Sequence, residues 1–282
     1  MPTSTRKPST ARHVTAITLP GLVDPHDLSA DRQFSMNLAR GMEVLRAFTS
    51  ASPLLGNREI ADRTGLPKPT VSRLTYTLVL LGYLSRDTAL QKYRLGPGVL
   101  SLGHPLLATM QVRQLAKPMM ESLARQTGCT VNLGMRDRGN VVYIDSVRAD
   151  AGNQHLPDIG SSRPLMSSAI GRALILACRP AERTALLNRL KVQDRELFAQ
   201  TRALWEADQK LFAAEGYCHS RGDWQKDIHA VAVPLRQAVG EPVLAMNCTL
   251  AAYRVTRDML ARKVVPLLKD AARQLEFAQG VR

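Results

Sequence analysis

At 282 residues, 45% hydrophobic and 22% charged, the chain has an ordinary globular composition and suits two domains that each bury a core. Lys and Arg number 38 against 24 Asp and Glu, a net charge of +14 that favours a polyanionic partner. Four scattered cysteines without a C-x-x-C pair exclude a disulfide framework or zinc knuckle; with no signal-peptide segment and no apolar run that could span a bilayer, they place the protein in the cytoplasm with no membrane partner.

Met1 to about Gln33 is rich in Thr, Ser and Pro and has no sustained period, so residues 1–33 read as a disordered tail with stray cations Arg6, Lys7 and Arg12. Ser35 can cap a helix Met36–Phe48 whose stripe is Leu38, Met42, Leu45 and Phe48. After the loop 51–56, Gly56 or Asn57 caps a second helix that stops at Gly65, the residue type that most easily takes a left-handed helix end. A third helix restarts through Leu66-Pro67-Lys68-Pro69, where proline costs no intrahelical bond. Val71, Leu74, Leu78 and Leu81 form its buried stripe, which turns Lys68, Thr70, Ser72, Arg73 and Tyr76 outward.

Cations, hydroxyls and a phenol on the second helix of such a pair are groups that reach phosphates and base edges in a major groove. Tyr83–Arg86 and Gln91–Leu95 then read as a hairpin, a wing that carries Arg86, Lys92 and Arg94 toward the DNA backbone or minor groove. Residues 34–96 make up this winged helix-turn-helix.

Residues 97–127 read as linker and connecting helices: a short helix at 99–102, a break at Gly103-His-Pro105, and a long amphipathic helix ended by Gly128. An exposed apolar side on a linker helix suits a second copy of the chain, so a dimer seam is expected here. Residues 128–282 mix strands and helices. Strands are expected at 131–135 and 141–147 around the turn 137–140, and again at 217–220, 230–236 and 243–250. Between them come a polar loop 148–164 that can cover a pocket, a helix capped by Ser167 or Ser168, further helices from Pro180 and Arg195, and a terminal helix capped by Thr256.

The ordered set Glu59-Ile-Ala-Asp-Arg-Thr-Gly-Leu-Pro-Lys-Pro-Thr-Val-Ser-Arg-Leu74, Gly82-Tyr83, Tyr93-Arg-Leu-Gly96, Gly160-Ser-Ser-Arg-Pro-Leu165, Gly171-Arg-Ala173, Gly216-Tyr217 and Val231-Ala-Val-Pro234 resembles the IclR family of bacterial transcription regulators over about residues 35–279. The resemblance implies an α+β protein: an N-terminal winged helix-turn-helix, a linker helix, and a GAF-like α+β effector-binding domain that takes an organic acid or aromatic compound. It also implies a homodimer or tetramer. Carried over by position, the effector residues are Ser167, Ser168, Ala169 and Ile170 at a helix start, Ile228 and Ala230 as an apolar wall, Ser220, and Asn247 with Thr249 on the last strand. Asn247-Cys-Thr-Leu250 lacks the Gly-Pro that often follows in the family, and Ser220 stands where many members carry an acid.

No G-x-S-x-G elbow, P-loop or H-E-x-x-H occurs, so neither an enzyme nor a cofactor is expected. Cys218, His219, Asp223, Asp227 and His229 cluster in sequence but match no standard metal site or nucleophile arrangement. The leading reading is a sequence-specific DNA-binding regulator that answers to a small carboxylic or aromatic effector. The alternative is a small-molecule-binding protein whose winged helix contacts other proteins.

Overall fold

A computed structural model describes Leu28 and residues 30–149, 157–237, 241–256 and 258–281. Most of the expected tail, with Arg6, Lys7 and Arg12, and the centre of the expected loop 148–164 lie outside the described residues.

Helices α1 (Met36–Arg46), α2 (Asn57–Thr64) and α3 (Lys68–Leu80) precede a hairpin of β1 (Leu84–Asp87) and β2 (Lys92–Leu95). Ser35 caps α1, its hydroxyl accepting from the Leu38 amide. Gly56 caps α2, and its amide donates to the Glu59 carboxylate at 2.6 Å. Gly65 closes α2 at φ 69°, as the turn to α3 requires. Val44, Leu55, Ile60, Val71 and Leu84 fill the core of this unit, each worth roughly 1.5–3 kcal/mol on burial.

Two expected stripes are corrected. Leu38 and Met42 of α1 are exposed, while Leu45 and Phe48 pack on the core as expected, joined by Val44 and Ala47. Helical spacing allows either neighbouring stripe, so only the placement of α2 and α3 chooses between them. Leu81 is also exposed, because the chain turns at Gly82 (φ 78°) just past the end of α3. Thr75 is buried in α3 instead, with its hydroxyl satisfied by the Val71 carbonyl at 3.0 Å.

Helix α4 (Pro97–Thr109) runs through Gly103 and Pro105 where a break was expected, and the chain breaks at Met110 before α5 (Gln111–Thr127). No residue of α4 is buried; Leu100, Leu102 and Leu106 face solvent. Proline's missing N–H and its steric demand toward the preceding turn are better tolerated on such an unpacked helix. Helix α5 ends at Gly128, as its sequence predicts.

The second unit is built on a six-stranded antiparallel sheet in the order β5 (Ser162–Pro164), β4 (Asn140–Arg148), β3 (Thr130–Asp137), β8 (Leu244–Ala251), β7 (Ile228–Leu235), β6 (Cys218–Arg221). One face packs on α5 and the last helix α9 (Val265–Ala278), through Val131, Val231, Met246 and Cys248. The other packs on α6 (Ala169–Ala177), α7 (Pro180–Gln193) and α8 (Arg195–Glu215), through Val141, Tyr143, Ala232 and Ala245. Period-two alternation along each strand serves both layers.

The terminal helix starts later than Thr256 predicts. A π-helical turn, Leu260–Val264, precedes α9, and the Val265 amide reaches back to the Leu260 carbonyl. Pro266 has no N–H with which to continue the i−4 pattern, and the wider turn falls just before it.

The two units meet at the β3–β4 turn. Arg46 of α1 grips Asp137 with both terminal nitrogens, at 2.8 and 3.3 Å, while Glu43 of the same helix pairs with Arg138. Farther along β4, the buried Asp145 carboxylate holds Arg113 and Lys117 of α5.

Helix α6 lies so near the preceding chain that a Cβ at Gly171 would stand 2.2 Å from the Leu165 carbonyl oxygen and 2.5 Å from its Cα. Backbone cannot swing aside as a flexible side chain does. Gly171→Ala should therefore cost about 1–3 kcal/mol in urea unfolding, with α6 displaced; an unchanged midpoint would contradict this close approach.

Candidate DNA-binding face and effector pocket

Helix α3 buries Val71, Thr75 and Leu78 and turns Lys68, Ser72, Arg73 and Tyr76 to solvent, with Thr70 half-buried beside them. Lys68, Arg73 and Arg94 have no carboxylate partner among the described residues, so their charge is available to phosphates. On the wing, Arg94 is exposed, and Arg86 is exposed but donates to the Gln91 side chain at 2.6 Å. Lys92 departs from the expectation of a free wing cation. Its Nζ lies 3.0 Å from the Glu59 carboxylate, the same group that accepts the Gly56 amide, so it ties the wing to the start of α2. The Gly56 amide first, and then Lys92, hold that carboxyl below its usual range.

The sheet face under α6 carries the second site. Strand register sets Ser220, Ala230, Thr249 and Thr130 in one row across β6, β7, β8 and β3, and Cys218, Ala232, Asn247, Asn132 and Ser146 in the next row, which extends to β4. Asn247 and Thr249 share this face, two residues apart. Asn132 donates to the Asn247 carbonyl oxygen at 2.8 Å and accepts from the Ser146 hydroxyl at 2.5 Å. With its oxygen used in this way, Asn247 has its NH2 group left to offer. Ser220, Ile228 and Ala230 are buried on the same side of the sheet or at its end.

At the wall of this face α6 begins. Ser168, not Ser167, is its cap: the Ser168 hydroxyl accepts from the Gly171 amide at 3.2 Å, while buried Ser167 precedes it. The amides of Ala169 and Ile170, first in the helix, have no intrahelical acceptor and point a positive dipole end outward. Ile170 packs closely over β3, since a Cβ at Gly134 would stand 3.0 Å from its Cδ1. The register therefore brings Ser220, Ala230, Asn247 and Thr249 onto one face of the sheet. It adds Asn132 and Ser146, which show in sequence only as polar residues among apolar strand neighbours.

Sequence reasoning assigned no role to Arg172, and it holds the site in place. Its side chain is wholly buried, with Nε 2.6 Å from Asp208 of α8 and one Nη 2.6 Å from Asp223 of the β6–β7 loop. It also donates to the carbonyls of Met166 and His219. Burial pushes the Asp208 carboxyl up, against the pull of Arg172 and the His219 amide. His219 is held down to about 4, first by burial and then by Arg221 and His229, and stays neutral near pH 7. The cluster noted in sequence around Cys218 is thus divided, for Asp223 serves Arg172 and Cys218 lies in the core. No group of three His, Cys, Asp or Glu side chains among the described residues is arranged to hold a metal ion.

The family model described as the bacterial transcriptional regulator IclR C-terminal matches residues 104–277, and the IclR helix-turn-helix domain matches 37–88. The chain is similar to the HTH-type transcriptional regulator TsaQ1/TsaQ2 of Comamonas testosteroni, at 36% identity over 85% of this chain and 87% of that protein. The crystal structure of an IclR family transcriptional regulator from Brucella abortus superposes with a TM-score of 0.85 at 38% identity, over 93% of this chain and 98% of that one. An IclR homologue from Microbacterium hydrocarbonoxydans, solved in complex with 4-hydroxybenzoate, shares the fold at 22% identity and a TM-score of 0.62, over 87% and 100% of the two chains.

The buried guanidinium yields a test of how the site is held. Arg172→Met leaves two carboxylates facing each other without a counter-charge and should cost about 3–5 kcal/mol in urea unfolding. Adding Asp208→Asn and Asp223→Asn should recover part of that loss. If the triple variant is no more stable than Arg172→Met alone, the residue acts through packing rather than charge.

Proposed function

Because the chain belongs to the IclR family of bacterial transcriptional regulators, we propose that its winged helix reads an operator through α3 and that a small organic acid, bound on the α6 side of the sheet, modulates that binding. The observation that carries this reading is the outward face of α3, where Lys68, Thr70, Ser72, Arg73 and Tyr76 stand opposite its buried stripe. Arg73 and Ser72 read base edges, while Lys68, Arg86 and Arg94 hold phosphates and set the docking register. Lys92 acts mainly through Glu59, keeping wing and helix pair in one geometry.

The effector reading rests on polar side chains gathered on one sheet face beside a helix start whose first amides, of Ala169 and Ile170, have no intrahelical acceptor. Backbone amides at such a start accept an anion without a dedicated lysine. Asn247 and Thr249 add a donor and a hydroxyl, and Ile228 and Ala230 an apolar wall. The 4-hydroxybenzoate complex of the Microbacterium homologue points to an aromatic acid as the first class to test. The ligand shifts the protein between arrangements only by its differential affinity for them, commonly ~1–3 kcal/mol.

Two copies bind together. A single winged helix reads too few base pairs to single out one site in a genome, and the exposed Leu100, Leu102 and Leu106 of α4 offer an apolar seam. The assembly is a homodimer, with a tetramer as a pair of such dimers.

Binding to a duplex selected by the wild-type protein from a random pool tests the DNA contacts. Arg73→Ala should lose ~1–3 kcal/mol on that duplex and little on scrambled DNA, while Arg94→Ala should weaken both alike and reduce the salt slope by about one. Full discrimination by Arg73→Ala would remove that residue from readout. Sedimentation at micromolar concentration should give a dimer or tetramer that Leu100→Lys dissociates; a monomer that protects the whole duplex would overturn the two-copy reading.

A further inference from the structure

On the face that carries the proposed pocket, one guanidinium held against two aromatic rings has no acid partner among the described residues. Arg163 of β5 stands opposite Val141 of β4, whose side chain lies in the core under α6, so Arg163 is on that same face. Its guanidinium carbon is 5.6 Å from the centre of the Tyr143 ring and 5.8 Å from that of Trp224. Among the described residues no carboxylate pairs with it. Nearby Arg172 is saturated by two acids and two carbonyls, and Arg183 is occupied by the Ile175 and Leu176 carbonyls at the end of α6 and by that of Cys178.

Two aromatic rings orient a guanidinium and leave its hydrogen-bonding edge open, since ring faces attract the cation without supplying an acceptor. Both rings are themselves fixed. Tyr143 is buried in the sheet, and Trp224 follows Asp223, which is anchored to Arg172 of α6. Arg163 also belongs to the stretch that leads into α6, because the carbonyl of the next residue, Pro164, accepts from the Ser168 hydroxyl that caps the helix. The planar fork and the unpaired amides of Ala169 and Ile170 thus stand on one short run of chain. Trp224 is 45% exposed and leaves ring surface for a flat ligand.

We propose that Arg163 is the carboxylate-recognising residue of the effector site and that the site selects monoaromatic carboxylic acids, the carboxylate forked on Arg163 and the ring lying against Trp224. This rests on the reading that the α6 side of the sheet binds a small organic acid. It adds a point of leverage, because Arg163 pairs one residue from the β3–β4 turn whose Asp137 and Arg138 hold α1.

The test is calorimetric titration of the full chain with benzoate and 4-hydroxybenzoate and with their uncharged isosteres benzamide and 4-hydroxybenzamide. Wild type should bind the acids about tenfold or more tightly than the amides, as expected of a charge-assisted fork. Arg163→Met should bring the acids down to the level of the amides and leave the amides nearly unchanged. Arg163→Lys should fall between, keeping charge but losing the fork. Trp224→Ala should weaken acids and amides alike, and the acids should alter the tryptophan emission of wild type, since Trp224 is one of only two tryptophans and Trp205 is buried. Undiminished acid binding by Arg163→Met overturns the proposal and leaves the organic-acid reading intact. A wild type that binds none of the four probes also overturns it; binding of pyruvate or succinate by that protein then preserves the broader reading, and failure with these too removes both.

Discussion

The effector domain depends on one buried cation. A guanidinium enclosed by protein is costly unless each of its edges meets an acceptor, and Arg172 meets four, from α8, the β6–β7 loop, the chain before α6 and strand β6. Because those acceptors come from separate elements, satisfying the charge also sets where the elements lie. The start of α6, the loop bearing Trp224 and the edge strand with Ser220 take their positions together. Gly171 acts alongside, since only a residue without a side chain lets α6 come so near Leu165.

The sheet separates two tasks by its two faces. Toward α5 and α9 it is mostly apolar, β8 contributing Leu244, Met246, Cys248 and Leu250, with the buried Asp145 of β4 paired to Arg113 and Lys117 of α5. Toward α6 the same strand alternates to Ala245, Asn247 and Thr249, and neighbouring strands bring Asn132, Ser146, Thr130 and Ser220 into register. Polar side chains are tolerated there because they bond to each other across strands, as Asn132 does with Asn247 and Ser146.

Between this sheet and the DNA-binding unit stand reciprocal ion pairs. Glu43 and Arg46 lie three residues apart on one face of α1, and Arg138 and Asp137 answer them from the β3–β4 turn. The Arg46–Asp137 pair is exposed and the Glu43–Arg138 pair half-buried, and pairs this accessible contribute little apiece, ~0–1 kcal/mol. The same turn ends the strands that carry Asn132 and Ser146, so this contact and the polar row share one hairpin.

Much of this was determined by the sequence alone. The helix-turn-helix follows from Gly65, the proline-flanked restart and the spacing of Val71 and Leu78; the β3–β4 hairpin and the helix ends at Gly128 and Gly216 follow from turn chemistry and alternation. These are local signals, read within a few residues. Strand parity likewise puts Ser220, Ala230, Asn247 and Thr249 on one face of the sheet. The tertiary structure alone decided that Leu38 and Met42 of α1 stay exposed while Val44 and Ala47 are buried, that Lys92 is drawn to Glu59 thirty-three residues away, and that Asn132 completes the polar row. It also decided that Arg172, a lone charge in an apolar helix, meets Asp208 and Asp223, and that Arg163 meets no carboxylate among the described residues. Local periodicity reports which face a residue occupies, but the partner of a charge depends on which distant elements are folded beside it, and that distance is set by packing.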